Sequence, residues 1–290
     1  MSAAPRLRPM TLTDVPAAGE LLLSDGWTDR TAFFEFAVGH PACRPIVADL
    51  DGRVVATGIG TASGSVGWIA LIFVAPDLRG EGLGRLVSTA VCDDLEARGS
   101  RTLLLHASDA GRPVYERLGF EIHAWLHLFD PPDRDDQDDG ATSDGPADVI
   151  IRPVAASDMK AVEALDASAS GEDRRHLIRA VLPTDGGLVA VDADGTVRGY
   201  RLDPSWGAHP LVAHDPHDAI AILEHAARAA PGDTPPHGRR AVTYDGNEAG
   251  DALLAERGWR EIRRMPRMIR GEPLDWRPEW IYGNFNAGLG

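Results

Sequence analysis

Two stretches of this chain, 144 residues apart, open in the same way. Residues 6–17 read RLRPMTLTDVPA and residues 150–161 read IIRPVAASDMKA, so Arg8-Pro9 matches Arg152-Pro153 and Asp14 matches Asp158. The first reads as a strand running into a helix, with Asp14 as its N-cap. Further on, Asp51-Gly52 and Asp194-Gly195 read as matching hairpin turns, and ERLGF at 116–120 is echoed by ERGW at 256–259. A repeat this long is a duplicated domain, not a solenoid of roughly 20–50-residue units. The 290 residues leave room for about two domains.

The first copy carries a feature that the second lacks. A β-rich run through Trp68, Ile69, Leu71, Ile72, Phe73 and Val74 ends at Pro76. A loop with Arg79, Gly80, Gly82 and Gly84 follows, and then Leu83, Leu86, Val87, Ala90, Val91 and Leu95 recur at helical spacing up to Gly99. The order is strand, glycine-rich turn, helix. Without side chains at the glycines, backbone N–H groups can approach an anion closely, and the helix N-terminus adds partial positive charge. Such a turn suits a pyrophosphate. It is not a Walker loop, because Arg85 follows Gly84, nor the dinucleotide fingerprint, because the glycines fall at 80, 82 and 84.

What fits is Arg79-x-x-Gly82-x-Gly84, preceded by Val74-x-Pro76. This resembles motif A of the GNAT superfamily, the acyl-CoA-dependent N-acyltransferases. Tyr115-Glu116-Arg117-Leu118-Gly119-Phe120 resembles a second motif of that superfamily. Over about residues 5–130 the element order (strand, two helices, three strands, helix, strand, helix, strand) is similar to the GNAT arrangement. The resemblance implies an α+β fold with two GNAT-like domains, each a mostly antiparallel central sheet flanked by helices. The expected division is a catalytic domain at 1–130, an acidic flexible linker at 131–148, and a degenerate domain at 149–290 with an aromatic tail. In the second copy HPLVAHDPHDAIAIL (209–223) replaces the glycine turn, Asp215 and Asp218 would repel a pyrophosphate, and Leu254 stands where the first copy has Tyr115.

The activity implied is acetyl-CoA-dependent N-acetyl transfer to a primary amine of a small molecule by direct attack, with acetyl-CoA as cosubstrate. The pyrophosphate would rest on the backbone of Leu78, Arg79, Gly80, Glu81, Gly82, Leu83 and Gly84 and on the Arg79 or Arg85 side chain. The pantetheine arm would run along Ile72, Phe73 and Val74, with the Val74 N–H polarising the thioester carbonyl. Tyr115 would protonate the leaving thiolate; a phenol pKa of about 10 lies close enough to a thiol's for that transfer. Trp27 and Phe33 are the candidate acceptor contacts. No carboxylate on the central strand offers a general base. Glu35 and His106 are candidates that read more readily as structural. The alternative from another class is a non-catalytic acyl-CoA-binding or regulatory tandem module.

Composition sets the remaining expectations. The net charge is −15, and the segment from Asp130 to Asp148 holds eight aspartates against one arginine. An acidic chain argues against non-specific nucleic-acid binding. No apolar run approaches the ~18 residues of a membrane span, so the expected location is the cytoplasm. Cys43 and Cys92 match no ligand or redox spacing, and no disulfide is expected between them. His209, His214 and His217 read as surface residues, with no metal site expected. Trp276, Trp280, Tyr282 and Phe285 in the tail read as packing, with lining of the acceptor pocket as the lesser option. A homodimer is left open.

Overall fold

A computed structural model describes residues 4–132, 149–183, 185–229, 239–286 and 288–289. The first half runs β1 (Arg6–Pro9), α1 (Val15–Leu23), α2 (Thr31–Gly39), β2 (Cys43–Leu50), β3 (Arg53–Ser63), β4 (Val66–Val74), α3 (Leu83–Ala97), β5 (Thr102–His106), α4 (Arg112–Arg117) and β6 (Glu121–Asp130). The second half repeats that order as β7 (Ile150–Pro153), α5 (Met159–Ser170), α6 (Arg175–Val181), β8 (Gly187–Val191), β9 (Val197–Leu202), β10 (Leu211–Ala213), α7 (Pro216–Ala229), β11 (Ala241–Tyr244), α8 (Glu248–Glu256) and β12 (Arg260–Gly271). A short β13 (Ile281–Gly283) follows. The expected linker lies outside the described residues except for Pro131 and Pro132.

The two copies begin with the same hydrogen-bonded turn. Arg8 forks onto Asp14 through Nη1 and Nη2, both at 2.8 Å, and Arg152 forks onto Asp158 at 2.6 and 2.9 Å. The same carboxylates accept the N–H of Thr11 and of Ala155, each at 2.8 Å. Asp14 therefore stands at the N-cap position of α1 without capping it; its oxygens are taken by the arginine and the turn. The Arg8 fork holds the Asp14 carboxyl well below the usual range.

Helix α3 buries Leu83, Val87, Val91, Cys92 and Leu95 along one face. That face lies on β3 at Gly58 and Gly60, where a Cβ would come within 2.6 Å of Val87 Cγ1 and 3.1 Å of Leu95 Cγ. Bare backbone there lets the helix settle close to the sheet.

Sheet membership does not follow the two halves. The larger sheet has eight strands in the order β1-β2-β3-β4-β5-β12-β6-β11, and the smaller has five in the order β13-β10-β9-β8-β7. Strand β12 of the second half is thus threaded between β5 and β6 of the first, antiparallel to both. Strand β11 adds to the far side of β6. All described strand pairs are antiparallel except β4 with β5.

This exchange explains two departures from the sequence pattern. The alternation over 120–129, taken alone, puts Phe120, Ile122, Ala124, Leu126 and Leu128 on one apolar face. Instead Ile122 is exposed, while His127 and Phe129 on the alternate face are buried: the pairing with β12 skips one residue of β6 between Ile122 and Ala124, and His127 is held by Asp245 and Asp251 of the second half. Arg267 sits opposite His106 and Ala124 in the sheet's middle and is almost fully buried. Its guanidinium lies 4.0 Å from the Trp276 ring centroid and 5.5 Å from that of Trp68, a stacking that suits arginine's weakly hydrated plane. Beside it, Trp68 Nε1 donates to Glu172 Oε2 at 2.8 Å across the two halves.

Candidate functional site

The site begins with an irregularity in β4. Residues Thr57 and Phe73 pair across β3 and β4, as do Ile59 and Ala70, so β4 carries an extra residue between them. Leu71 takes it up with φ +46°, a left-handed conformation that a branched side chain adopts at a cost of about 1–2 kcal/mol. The buried Thr57 hydroxyl donates to the Leu71 carbonyl at 2.8 Å and fixes the bulge. A bulge bends and twists its strand. Strands β4 and β5 pair only from Val66–Trp68 to Thr102–Leu104 and then part.

The parting leaves one edge of β4 open. Ala75 N–H bonds the Val55 carbonyl at 2.8 Å. Val74, at the alternate position, therefore turns its N–H and C=O away from β3 and toward the gap. Its carbonyl accepts Arg79 Nε at 3.1 Å.

The glycine turn closes the far end. Gly80 and Gly82 adopt φ +84° and +85°, and a Cβ at either would meet nothing within 4 Å. Their glycines thus serve the backbone path and an open approach, not internal packing. Gly82 stands at the N-cap of α3, whose first-turn N–H groups have no partners within the helix.

A cavity of about 740 Å³ joins these parts. Among the residues expected at the cosubstrate, Ile72, Phe73, Val74, Arg79, Gly80, Gly82, Gly84 and Arg85 line it, together with Tyr115. Glu81 and Leu83 do not: Glu81 is exposed and Leu83 is buried beneath the turn. Arg79 is already engaged, since its Nη2 meets Asp25 Oδ2 at 2.7 Å and its guanidinium lies over Phe73. Arg85, Arg117 and Arg263 also line the cavity and make no ion pair among the described residues. Arg263 comes from β12 of the second half.

Tyr115 stands between this cavity and a smaller chamber of about 110 Å³, lining both. Burial pushes its phenol well above the ordinary tyrosine value, so the side chain is protonated at neutral pH. The chamber is walled by Trp27 and Phe33, the two candidate acceptor contacts, and by Arg30, His106, Asn286 and Gly288. Trp27 stands edge-on to Phe73 at 5.9 Å. His106 Nε2 lies 3.1 Å from the Tyr244 hydroxyl of β11 and stacks near Trp68. Glu35 is exposed on α2 and lines neither space.

Sequence reasoning passed over Arg30, although it lies in the same GWTDRTAFFEF stretch that gave Trp27 and Phe33. It also passed over Asn286 and Gly288, because their place at the chamber depends on the tail crossing to the other half. Nothing in the sequence signals a left-handed Leu71.

The second half keeps the frame without these parts. Strand β10 runs straight to Pro216 at the start of α7, with Asp215 Oδ1 accepting the His217 N–H at 2.8 Å. Asp218 is fully buried and paired with Arg198 at 2.8 Å. Leu254, at the position matching Tyr115, is packed in the core. Among the described residues no cluster of His, Cys, Asp or Glu could hold a metal ion. No described helix is long and apolar enough to cross a membrane.

Comparison with known proteins agrees with this architecture. The profile of the acetyltransferase (GNAT) family matches residues 16–120, and that of an acetyltransferase (GNAT) domain matches residues 162–283. The chain belongs to the GNAT family, in a tandem form with two GNAT domains. It is 36% identical over 59 residues to the glucosamine 6-phosphate N-acetyltransferase of Trypanosoma brucei brucei, covering 20% of this chain and 40% of that protein. It is 32% identical over 128 residues to the mycothiol acetyltransferase of Thermobifida fusca (strain YX), covering 40% and 39%. The match thus spans about two-fifths of each curated relative. In fold, a Pyrococcus horikoshii crystal structure superposes with a TM-score of 0.81 at 19% identity, covering 100% of this chain and 97% of that one. A tandem GNAT protein from the clavulanic acid biosynthesis pathway superposes at 0.63 and 18% identity, covering 93% and 100%.

Proposed function

We propose that the protein is an acetyl-CoA-dependent N-acetyltransferase acting on a primary amine of a small molecule by direct attack. The observation that carries this reading is the convergence of the open glycine turn, the free edge of β4 and the buried Tyr115 on one cavity. The turn from Arg79 to Gly84 presents main-chain N–H groups for the cosubstrate's pyrophosphate, and Arg85, Arg117 and Arg263 supply countercharge for its phosphates. The free edge at Ile72–Val74 accepts the amide-bearing pantetheine as an added strand.

The Val74 N–H then serves as the donor to the thioester oxygen as negative charge builds there. The acceptor amine attacks in its neutral form from the side of the smaller chamber. The new N–C bond forms, the C–S bond breaks, and Tyr115 delivers its proton to the departing sulfur. The amine's surplus proton passes to water or to His106, the base candidate that lines the chamber. The names of the curated relatives, one for glucosamine 6-phosphate and one for mycothiol, support a small-molecule acceptor. Cys43 and Cys92, both buried free thiols, suit a reducing cytoplasm.

Calorimetry with acetyl-CoA and thiol release with a panel of amines test this function. Binding is expected, and Arg79→Glu is expected to weaken it. If neither the native protein gives heat nor Arg79→Glu changes anything, the function is refuted. Binding without turnover on any amine would favour a non-catalytic sensor.

A further inference from the structure

The smaller chamber is unusual in its charge. The chain has 44 acidic residues against 29 Lys and Arg, yet the chamber's lining includes no Asp or Glu and one guanidinium, that of Arg30. Arg30 Nε is buried and has no hydrogen-bond partner. The neighbouring Asp29 lends its charge but no hydrogen bond to Nε: its exposed carboxylate accepts the Thr31 N–H at 2.8 Å. A buried guanidinium nitrogen without a hydrogen-bond acceptor is costly, and proteins ordinarily satisfy such groups.

A second orphan donor shares the lining. Asn286 Oδ1 accepts the Gly288 N–H at 2.8 Å, which fixes the amide so that its NH₂ group is left over. Asn286 Nδ2 is buried and has no partner either. The unsatisfied buried side-chain atoms of this chamber are therefore both donors, one from each half of the chain.

We infer that the acceptor carries an anionic group, a carboxylate or a phosphate monoester, bound by Arg30 and the Asn286 amide while its amine is presented toward Tyr115. The inference rests on the acetyltransferase reading above for which ligand enters the chamber. The orphan donors match the acceptor-only oxygens of such an anion, and the guanidinium fork suits both anion types. Trp27 and Phe33 leave an apolar wall for a short stem between the two groups.

Matched acceptors that differ only in the anion test it: glycine against glycinamide, and O-phosphoethanolamine against ethanolamine, with thiol release as readout. The anionic member of at least one pair is expected to show kcat/KM higher by roughly 30-fold or more, and the pair that does so tells carboxylate from phosphate. Arg30→Gln is expected to abolish the preference through KM and Arg30→Lys to restore part of it, with acetyl-CoA affinity unchanged. Asn286→Leu gives a second variant on a different segment, expected to weaken the same preference. Calorimetric titration of the corresponding N-acetyl products in the presence of CoA needs no turnover. If the neutral product binds as well as the anionic one in both pairs, or if the preference survives Arg30→Gln and Asn286→Leu, the inference is overturned. Absence of heat with acetyl-CoA strikes the acetyltransferase reading instead, and the product titration repeated without CoA then decides this one.

Discussion

Thr57 Oγ1 bonds the Leu71 carbonyl at 2.8 Å, and this contact holds β4 in the bulge that opens its edge. Thr57→Val keeps the shape and deletes the donor. The half-buried Leu71 carbonyl loses its donor, at a cost of about 0.5–1.5 kcal/mol. We expect urea unfolding to register that loss and kcat to fall by about tenfold as the edge relaxes. Unchanged stability and turnover would mean that the bulge is held by other contacts.

Tyr115→Phe removes the proposed acid and retains the packing against Phe120. Turnover measured by thiol release should drop by about 10²-fold, while the dissociation constant for acetyl-CoA stays close to the native value. A variant that turns over normally would take Tyr115 out of the chemistry.

Glu172 ties the two halves together through Trp68 Nε1 and lies, almost fully buried, beside the cations Arg174 and Arg267. Glu172→Ala removes the acceptor of the buried Trp68 Nε1–H, and leaving such a donor unsatisfied costs about 1–3 kcal/mol. Denaturant unfolding followed by tryptophan emission should show the decrease. A loss below about 1 kcal/mol would indicate that water takes over the carboxylate's role.

Two buried histidines contribute to the acid limb of stability. Burial lowers His176 and His123 from 6.5 to about 4. The unfolded chain then binds protons that the folded chain refuses, so stability is full above about pH 6.5 and declines as pH falls toward 4. His176 packs 5.1 Å from the His40 ring and meets Ser63 Oγ at 3.1 Å. Replacing it as His176→Gln should flatten the decline in a pH series of unfolding free energies. An unaltered slope would assign the effect to other groups.

Local order was legible in the sequence. Helix α3 lies where the apolar spacing and the Gly99 stop put it, because these are short-range effects. The duplicated Arg-Pro turn was visible as a repeat, although the aspartate's true partner was not. The glycine turn and Tyr115, read from two separate motifs, line one cavity. Strand β12 was not legible as a central strand: REIRRMPRMIRG is crowded with arginines and carries Pro266. Its place depends on long-range pairing, with Arg267 compensated by aromatic faces supplied from distant segments. Arg30 and Asn286 were missed for the same reason, since their joint meaning exists only once the tail has crossed to the first half.

The threading of β12 has a consequence for anyone who would divide this molecule at its acidic segment. Each fragment would carry away raw strand edges that its own sequence cannot cover, and such edges invite pairing with whatever strand is nearby. The copy that lost its glycine turn and its tyrosine therefore stays indispensable, as the missing plank in its sibling's floor.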